Sequence, residues 1–270
     1  MKPLLHQLAR GLAAPVLILG IWQGICALGW VTPQALPSPV AVGLKWVEYV
    51  LPTQPYDGNQ SWLLWALSGE LLHDAGGSLW RVIMGFGVGF VLALPLGLVM
   101  GANARLREFA NPLIQVLRPI PPIAYIPLAI LWFGLGNPPA VFLIALGAFF
   151  PILMNTMAGV SQVDSIYLRA ARNLGASPGR IFLKVMLPGA MPFILSGVRI
   201  GIGTAFLVVI VAEMIAVNNG LGYRILEARE YFWTDKIIAG MLSIGLIGLG
   251  IDLAMERLNR HLLRWHRGMQ

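Results

Sequence analysis

Long apolar stretches separated by short polar segments recur along the whole chain. Six of them approach the roughly 20 helical residues that are needed to cross the hydrocarbon core of a bilayer. They cover residues 12–30, 79–101, 113–133, 139–159, 189–217 and 237–255. These runs are too long for transmembrane β-strands, and they do not alternate in hydropathy as such strands do. The pattern therefore predicts an all-α fold, a polytopic membrane helix bundle with about six transmembrane helices.

The composition supports this interpretation. The 270 residues are 57% hydrophobic and only 11% charged, whereas soluble domains carry about 25% charged residues. Because Cys26 is the only cysteine, a disulfide-rich secreted fold is excluded. Along the chain we expect an N-terminal anchor helix with an external interfacial segment (1–71), a transmembrane domain (72–256) and a basic cytoplasmic tail (257–270).

Lysine and arginine residues indicate the orientation, since they are enriched on the cytoplasmic side of membrane proteins. If both termini lie in the cytoplasm, twelve of the 19 cations fall in cytoplasmic segments and four in external ones. The external cations are Lys45, Arg224, Arg229 and Lys236. This asymmetry predicts a multi-pass protein with cytoplasmic termini, and it explains the net charge of +7 without a nucleic-acid partner.

Motifs for catalysis and cofactor binding are absent from the sequence. It contains no G-x-x-x-x-G-K-[ST] phosphate-binding loop, no H-E-x-x-H zinc motif and no G-x-S-x-G nucleophile motif. We therefore expect no catalytic residue, no metal site and no cofactor in this chain. Any hydrolysis of ATP would have to be carried out by a partner subunit.

The third apolar stretch is rich in proline. Arg118 precedes Pro119, and Pro121 and Pro122 follow within four residues. Proline interrupts the hydrogen-bond ladder of a helix, and broken helix at membrane depth is tolerated where it is buried in protein or lines a water-filled path. These four residues are thus candidates for the wall or gate of a translocation path, and the alternative is a kink at the membrane interface.

A single acidic residue, Glu213, lies inside the fifth stretch. Ionisable residues within spans are costly and usually functional. Arg199 lies 14 residues earlier, about 21 Å along a helix at 1.5 Å per residue, so the two side chains cannot pair. Glu213 is expected to pair with a group on another helix, in a structural or gating role, and like Arg118 it is a candidate residue of the translocation path or its gate. The alternative is a proton site, which would make the protein a secondary transporter.

The 160–188 loop is polar, basic and, in the predicted orientation, cytoplasmic. It is expected to form two short helices, 164–174 and 180–186, separated by the sequence Gly-Ala-Ser-Pro-Gly at 175–179. Most connections between helices are only a few residues long. A helical excursion of this size therefore indicates a docking site for a partner.

The same loop carries a motif. Arg169-Ala170-Ala171, then Gly175, and Leu187-Pro188 twelve residues later resemble the E-A-A-x-x-x-G…I-x-L-P signature of transmembrane subunits of ATP-binding-cassette (ABC) importers. Arg169 stands where the motif has glutamate, and Val185 where it has isoleucine. Further stretches resemble the nitrate/sulfonate/taurine subgroup: 36–39, 117–122, 126–128, 131–134, 197–201, 212–215, 220–223 and 234–235.

The resemblance implies a type I ABC importer transmembrane fold in the bacterial cytoplasmic (inner) membrane. Two permease copies, expected as a homodimer, would form the path for a small anion such as a sulfonate, taurine or nitrate. Separate ATPase subunits would bind inside, and a soluble binding protein would deliver the solute outside. The 160–188 loop would couple to the ATPase through Arg169, Ala170, Ala171, Gly175, Ala176, Leu187 and Pro188. A membrane scaffold or enzyme subunit is a third hypothesis.

Overall fold

The structure is a computed structural model that describes residues 2–52, 54–58 and 61–263, and within these ranges it is helical with no strand. The side chains of residues 2–12 and 64 lie outside this description, as do Arg264, Arg267 and the rest of the predicted tail beyond residue 263. The α-helices are α1 (Lys2–Ala27), α2 (Pro39–Val50), α3 (Trp62–Ala66), α4 (Glu70–Ala102), α5 (Ala104–Leu117), α6 (Ile126–Phe133), α7 (Asn137–Ser161), α8 (Ser165–Asn173), α9 (Pro178–Ile181), α10 (Leu187–Ala216), α11 (Leu221–Glu230) and α12 (Thr234–Leu262).

Four described helices are long and apolar enough to cross a membrane. They are α4, α7, α12 and the continuous helix Pro178–Ala216, which contains α9 and α10. The predicted second, fourth, fifth and sixth spans fall on these four helices, and the predicted all-α membrane fold is thereby confirmed.

The expected count of six is not reached in the described residues. The third predicted span is α5 followed by Pro122–Phe133, and the two parts are bent by 79° relative to each other. Proline explains the bend, because three of the four residues at 119–122 lack an N–H group. The first predicted span corresponds to α1, whose described apolar part, Ala13–Ala27, is shorter than a bilayer crossing.

Contacts divide the described residues into two compact units. One lies within Met1–Gly76 and Tyr223–Gly245, and the other within Gly77–Gly222 and Leu246–Gln270. We call them the terminal unit and the central unit. The predicted division at residues 71 and 256 stays a prediction.

In the central unit, α7 is packed between α4 and α10. Four glycines of α4 face α7, namely Gly85, Gly89, Gly97 and Gly101, and the buried Ala93 continues the same four-residue spacing. A Cβ atom added to Gly89 would lie 2.6 Å from the carbonyl oxygen of Ala145, so the backbones touch at this level. On its other side α7 meets Gly197 and Gly201 of α10. Small residues at this spacing let membrane helices approach closely.

The packing of α4 on α7 predicts different effects for two neighbouring glycines. Gly89→Ala should separate the helices and lower the melting temperature of the purified protein, because the new methyl group meets backbone. Gly87→Ala is the matched control, since a Cβ there meets no atom within 4 Å and alanine is the better helix former. Equal melting temperatures for the two variants would contradict this account of the packing.

In the terminal unit, side-chain hydrogen bonds attach α2 to the other helices. The indole N–H of Trp46 donates to the hydroxyl oxygen of Ser243 at 2.9 Å, and the hydroxyl of Tyr49 donates to a carboxylate oxygen of Asp74 at 2.9 Å. Nε of Arg224 donates to the same Asp74 oxygen at 2.8 Å. Burial beside the Asp74 carboxylate raises the pKa of Tyr49 above its ordinary value, so Tyr49 remains a neutral donor and the cluster keeps its hydrogen bonds.

Candidate functional site

The first half of the 160–188 loop folds as the sequence predicts. Helix α8 begins after Asp164, whose side chain accepts a hydrogen bond from the N–H of Ile166 at 2.8 Å. An aspartate at this position satisfies a free N–H group of the first helical turn. The helix ends at Asn173, one residue short of the predicted end.

Gly175 closes α8 in a left-handed turn. Its φ angle is +77°, its N–H donates to the carbonyl of Arg172 at 2.9 Å, and the N–H of Ala176 donates to the carbonyl of Ala171 at 3.0 Å. These two bonds form a Schellman motif, in which the residue with positive φ is usually glycine. The motif glycine is therefore required by the backbone of the turn.

The second half of the loop differs from the expectation. Instead of a separate helix over 180–186, α9 continues through a π-helical turn, Phe182–Met186, directly into α10. Pro188 therefore lies inside a continuous helix and does not terminate it. A π turn is wider than an α turn and is a common site of helix distortion, which accommodates a proline ring immediately after it.

The predicted coupling residues occupy neighbouring parts of one folded segment. Arg169, Ala170 and Ala171 lie on α8, Gly175 and Ala176 lie on the turn, and Leu187 and Pro188 start α10. Contacts between α8 and the π turn bring the two halves of the motif together. The side chain of Leu174, next to Gly175, is 87% exposed, so the turn presents an uncovered apolar side chain.

The predicted path residues lie at the break between α5 and α6. Arg118 is the last residue associated with α5, Pro119 and Pro121 are exposed in the following turn, and Pro122 starts a 3₁₀ helix, Pro122–Tyr125. The broken helix that the prolines predicted is thus present.

A cleft of about 410 Å³ lies beside this break in the central unit. Its wall is formed by the turn, α7 and α10, and Arg118 and Pro122 belong to it. Its lining residues are Arg118, Ile120, Pro122, Leu146, Gly147, Phe150, Pro151, Met154, Asn155, Ile200, Thr204, Leu207 and Val208.

Polar groups of the cleft lie around a second proline, Pro151 in α7. Because Pro151 has no N–H, the carbonyl of Gly147, four residues earlier, lacks its usual helical donor. The hydroxyl of Thr204 on α10 lies 2.9 Å from this carbonyl oxygen, and the side-chain amide of Asn155 donates to the carbonyl of Pro151 at 2.8 Å. The cleft therefore combines an apolar wall with a few polar side chains and one guanidinium group.

Glu213 lies elsewhere, in a buried ion pair with Arg81 of α4. Nη1 of Arg81 is 2.6 Å from Oε1 of Glu213, and the two side chains are 3% and 0% exposed. Oε2 of Glu213 accepts from the hydroxyl of Ser78 and from the N–H of Gly222, each at 2.9 Å. The prediction of a partner on another helix is confirmed, whereas Glu213 does not line the cleft that contains Arg118.

Asparagines complete the surroundings of Arg81. Its Nε donates to Oδ1 of Asn137 at 2.7 Å, its Nη1 donates to the carbonyl of Asn219 at 3.3 Å, and its Nη2 contacts the side chain of Asn219. The two charges are thus paired and hydrogen-bonded on all sides, as buried charges must be. This arrangement is that of a structural clamp between α4, α7, α10 and the chain before α11.

The sequence offered signals for some of the residues that were not predicted. Arg81 lies at the start of the second apolar stretch, 79–101, so a search for the partner of Glu213 among cations inside or at the edges of the spans would have reached it. Pro151 is a proline inside a span, the same signal that identified the third stretch. No pattern in the sequence marks Thr204 or Asn155.

Comparison with known proteins identifies the family. The family described as "Binding-protein-dependent transport system inner membrane component" matches residues 93–268. The taurine transport system permease protein TauC of Escherichia coli is 34% identical over 268 residues, 99% of this chain and 94% of its own length. The putative aliphatic sulfonates transport permease protein SsuC of Bacillus subtilis is 36% identical over 261 residues, which cover 97% of this chain and 89% of its own length.

Two further similarities extend these findings. The bicarbonate transport system permease protein CmpB of Synechococcus elongatus is 37% identical over 188 residues, 69% of this chain and 68% of its own length. Among solved structures, a chain of the inward-facing MetNI methionine ABC transporter superposes with a TM-score of 0.64 at 21% identity, over 75% of this chain and 99% of that one. The fold predicted from the sequence is confirmed, and the chain belongs to the family of binding-protein-dependent transport system inner membrane components, the permeases of ABC transporters.

Proposed function

We propose that this chain is the permease subunit of an ATP-driven importer that moves a small anion across the cytoplasmic membrane. The relatives named above are permeases for taurine, aliphatic sulfonates and bicarbonate, which share a small oxyanion group. The observation that carries the proposal is the cleft beside the broken third span. It has one guanidinium group, that of Arg118, and no acidic residue in its lining.

A cleft of this kind is suited to transient binding. Arginine binds oxyanions with two parallel hydrogen bonds, and Arg118 forms no ion pair within the described residues. The apolar side chains around it limit how tightly a hydrated anion is held, and a path requires both entry and release. The exposed faces of Ile200 and Leu207 at the cleft would be covered by a second copy of the chain, which would complete the path as a homodimer.

The driving energy would come from outside this chain. In the proposal, ATPase subunits dock on the 160–188 loop through Arg169, Ala170, Ala171, Gly175, Ala176, Leu187 and Pro188, and a soluble binding protein supplies the anion on the opposite side. The asymmetry of lysine and arginine supports placing both termini, and this loop, in the cytoplasm. The small side chains on α8 and its turn support close contact with another protein.

Reconstitution tests this function directly. The chain should be placed in proteoliposomes with a candidate partner ATPase and a candidate binding protein, and uptake of a radiolabelled alkanesulfonate should be followed. We expect uptake that requires ATP, the ATPase and the binding protein together. Uptake by the chain alone, driven by a proton gradient, would instead support the secondary transporter.

Arg118 should be needed for transport but not for assembly. A hydrogen bond to a charged group contributes about 1.5–3 kcal/mol, so Arg118→Gln should slow uptake roughly ten- to a hundredfold. Arg118→Lys keeps the charge without the bidentate geometry, so its uptake rate should lie between those of wild type and Arg118→Gln. Arg105→Gln, which replaces an exposed cation of α5, is the control. Normal uptake by the Arg118→Gln complex would remove Arg118 from the path.

A further inference from the structure

The 160–188 loop carries a concentrated positive charge that nothing in the described structure neutralises. It contains four cations, Arg169, Arg172, Arg180 and Lys184, against one acid, Asp164. The Asp164 carboxylate is engaged with the N–H of Ile166 at the start of α8. None of the four cations forms an ion pair within the described part of the chain, and all four are exposed.

Two of these cations lie together on α8. Arg169 and Arg172 are three residues apart, and residues at this spacing are neighbours on a helix surface. Like charges at such positions destabilise a helix slightly when they face only water. The one side-chain contact described for Arg169 is a long hydrogen bond of 3.4 Å to the hydroxyl of Ser165. The pair is thus available to an opposite charge outside this chain.

The surroundings of the two arginines fit a protein surface better than lipid headgroups. Helix α8 is only nine residues long, and beside its arginines it presents the small side chains Ala170 and Ala171. The turn that follows places Leu174 almost fully in solvent. An apolar side chain next to small residues and paired cations is typical of a docking surface with a hydrophobic centre and a charged rim.

We propose that the surface of the partner ATPase that receives α8 carries carboxylates opposite Arg169 and Arg172, so that charge helps this permease to select its ATPase. The inference rests on the proposed docking of the ATPase at this loop. It assigns the two arginines a role in specificity, because opposite charges across an interface favour the correct partner and penalise one with cations in the same place.

The test measures the dissociation constant of the cognate ATPase for the full-length permease in nanodiscs at 50 mM and 500 mM salt. The double variant Arg169→Glu/Arg172→Glu should bind about tenfold more weakly at low salt, with a smaller difference at high salt where the charges are screened. The variant Arg169→Lys/Arg172→Lys should bind within about twofold of wild type, because it keeps both charges. Arg105→Glu is the control for reversing a cation outside the loop.

The pattern of outcomes separates this inference from the docking proposal. If the charge-reversed variant binds normally while Gly175→Trp does not bind, the ATPase docks on the loop but the acidic surface is absent, and the inference is overturned. If neither substitution weakens binding, the docking proposal itself fails. If charge reversal leaves ATPase binding intact and only reduces binding to vesicles of anionic phospholipid, the arginines face the membrane and the inference is again overturned.

Discussion

Glu213→Gln is expected to lower the stability of the protein by about 3–5 kcal/mol, the usual cost of leaving one member of a buried ion pair without its partner. Both carboxylate oxygens of Glu213 accept hydrogen bonds, one from Arg81 and the other from Ser78 and Gly222. A glutamine has only one carbonyl oxygen, so its amide N–H₂ group must face a donor in either orientation. At the same time Arg81 keeps its charge in a buried site.

The measurement is thermal unfolding in detergent. Size-exclusion chromatography of a fluorescent fusion gives the fraction of protein that remains folded after heating at each temperature. Glu256→Gln is the matched control, because Glu256 also pairs with an arginine, Arg260, but on an exposed surface where such pairs contribute little. The double variant Arg81→Gln/Glu213→Gln should recover part of the lost stability, since no buried charge remains unpaired. A Glu213→Gln protein as stable as wild type would contradict the clamp and reopen the question of a mobile proton at this site.

The clamp also shows what could not be predicted from the sequence. That Glu213 needs a partner follows from the cost of a charge at membrane depth. The identity of that partner does not follow from the sequence. Arg81 lies 132 residues away in the chain, and its position depends on how α4 and α10 both pack on α7. That packing depends on the small residues of α4, whose spacing is visible in the sequence although the helix that they contact is not.

Local signals were more reliable. Asp164 and Gly175 mark the start and end of α8 because each satisfies backbone groups within a few residues of its own position. The prolines at 119–122 likewise predicted a broken helix without any knowledge of its neighbours. Pro188 shows the limit of this reasoning, since the preceding π turn lets the helix continue through it. The cleft could not be predicted, because Thr204 and Asn155 gain their roles only where α7 and α10 meet.

Gly175→Trp is expected to abolish both solute uptake and solute-stimulated ATP hydrolysis, while the protein still inserts into the membrane and folds. A Cβ at Gly175 meets no atom within 4 Å, so the new side chain leaves the backbone without a clash inside the chain. The positive φ angle adds a local strain of about 1–2 kcal/mol, which affects the turn and not the membrane-spanning helices. The loss must therefore come mainly from the partner, whose surface would have to accommodate an indole beside Leu174.

Two further substitutions at the same position separate bulk from strain. Gly175→Asn introduces a modest side chain that tolerates a left-handed conformation, and Gly175→Ala introduces the strain with a minimal side chain. If close contact with the ATPase is the requirement, solute uptake should be highest with glycine at position 175, lower with alanine or asparagine, and lowest with tryptophan. ATPase binding should fall in the same order. The readouts are uptake, ATP hydrolysis and ATPase binding in the same proteoliposomes. Full coupling in the tryptophan variant would show that the turn at Gly175 does not touch the ATPase, and the docking role of the 160–188 loop would have to be abandoned.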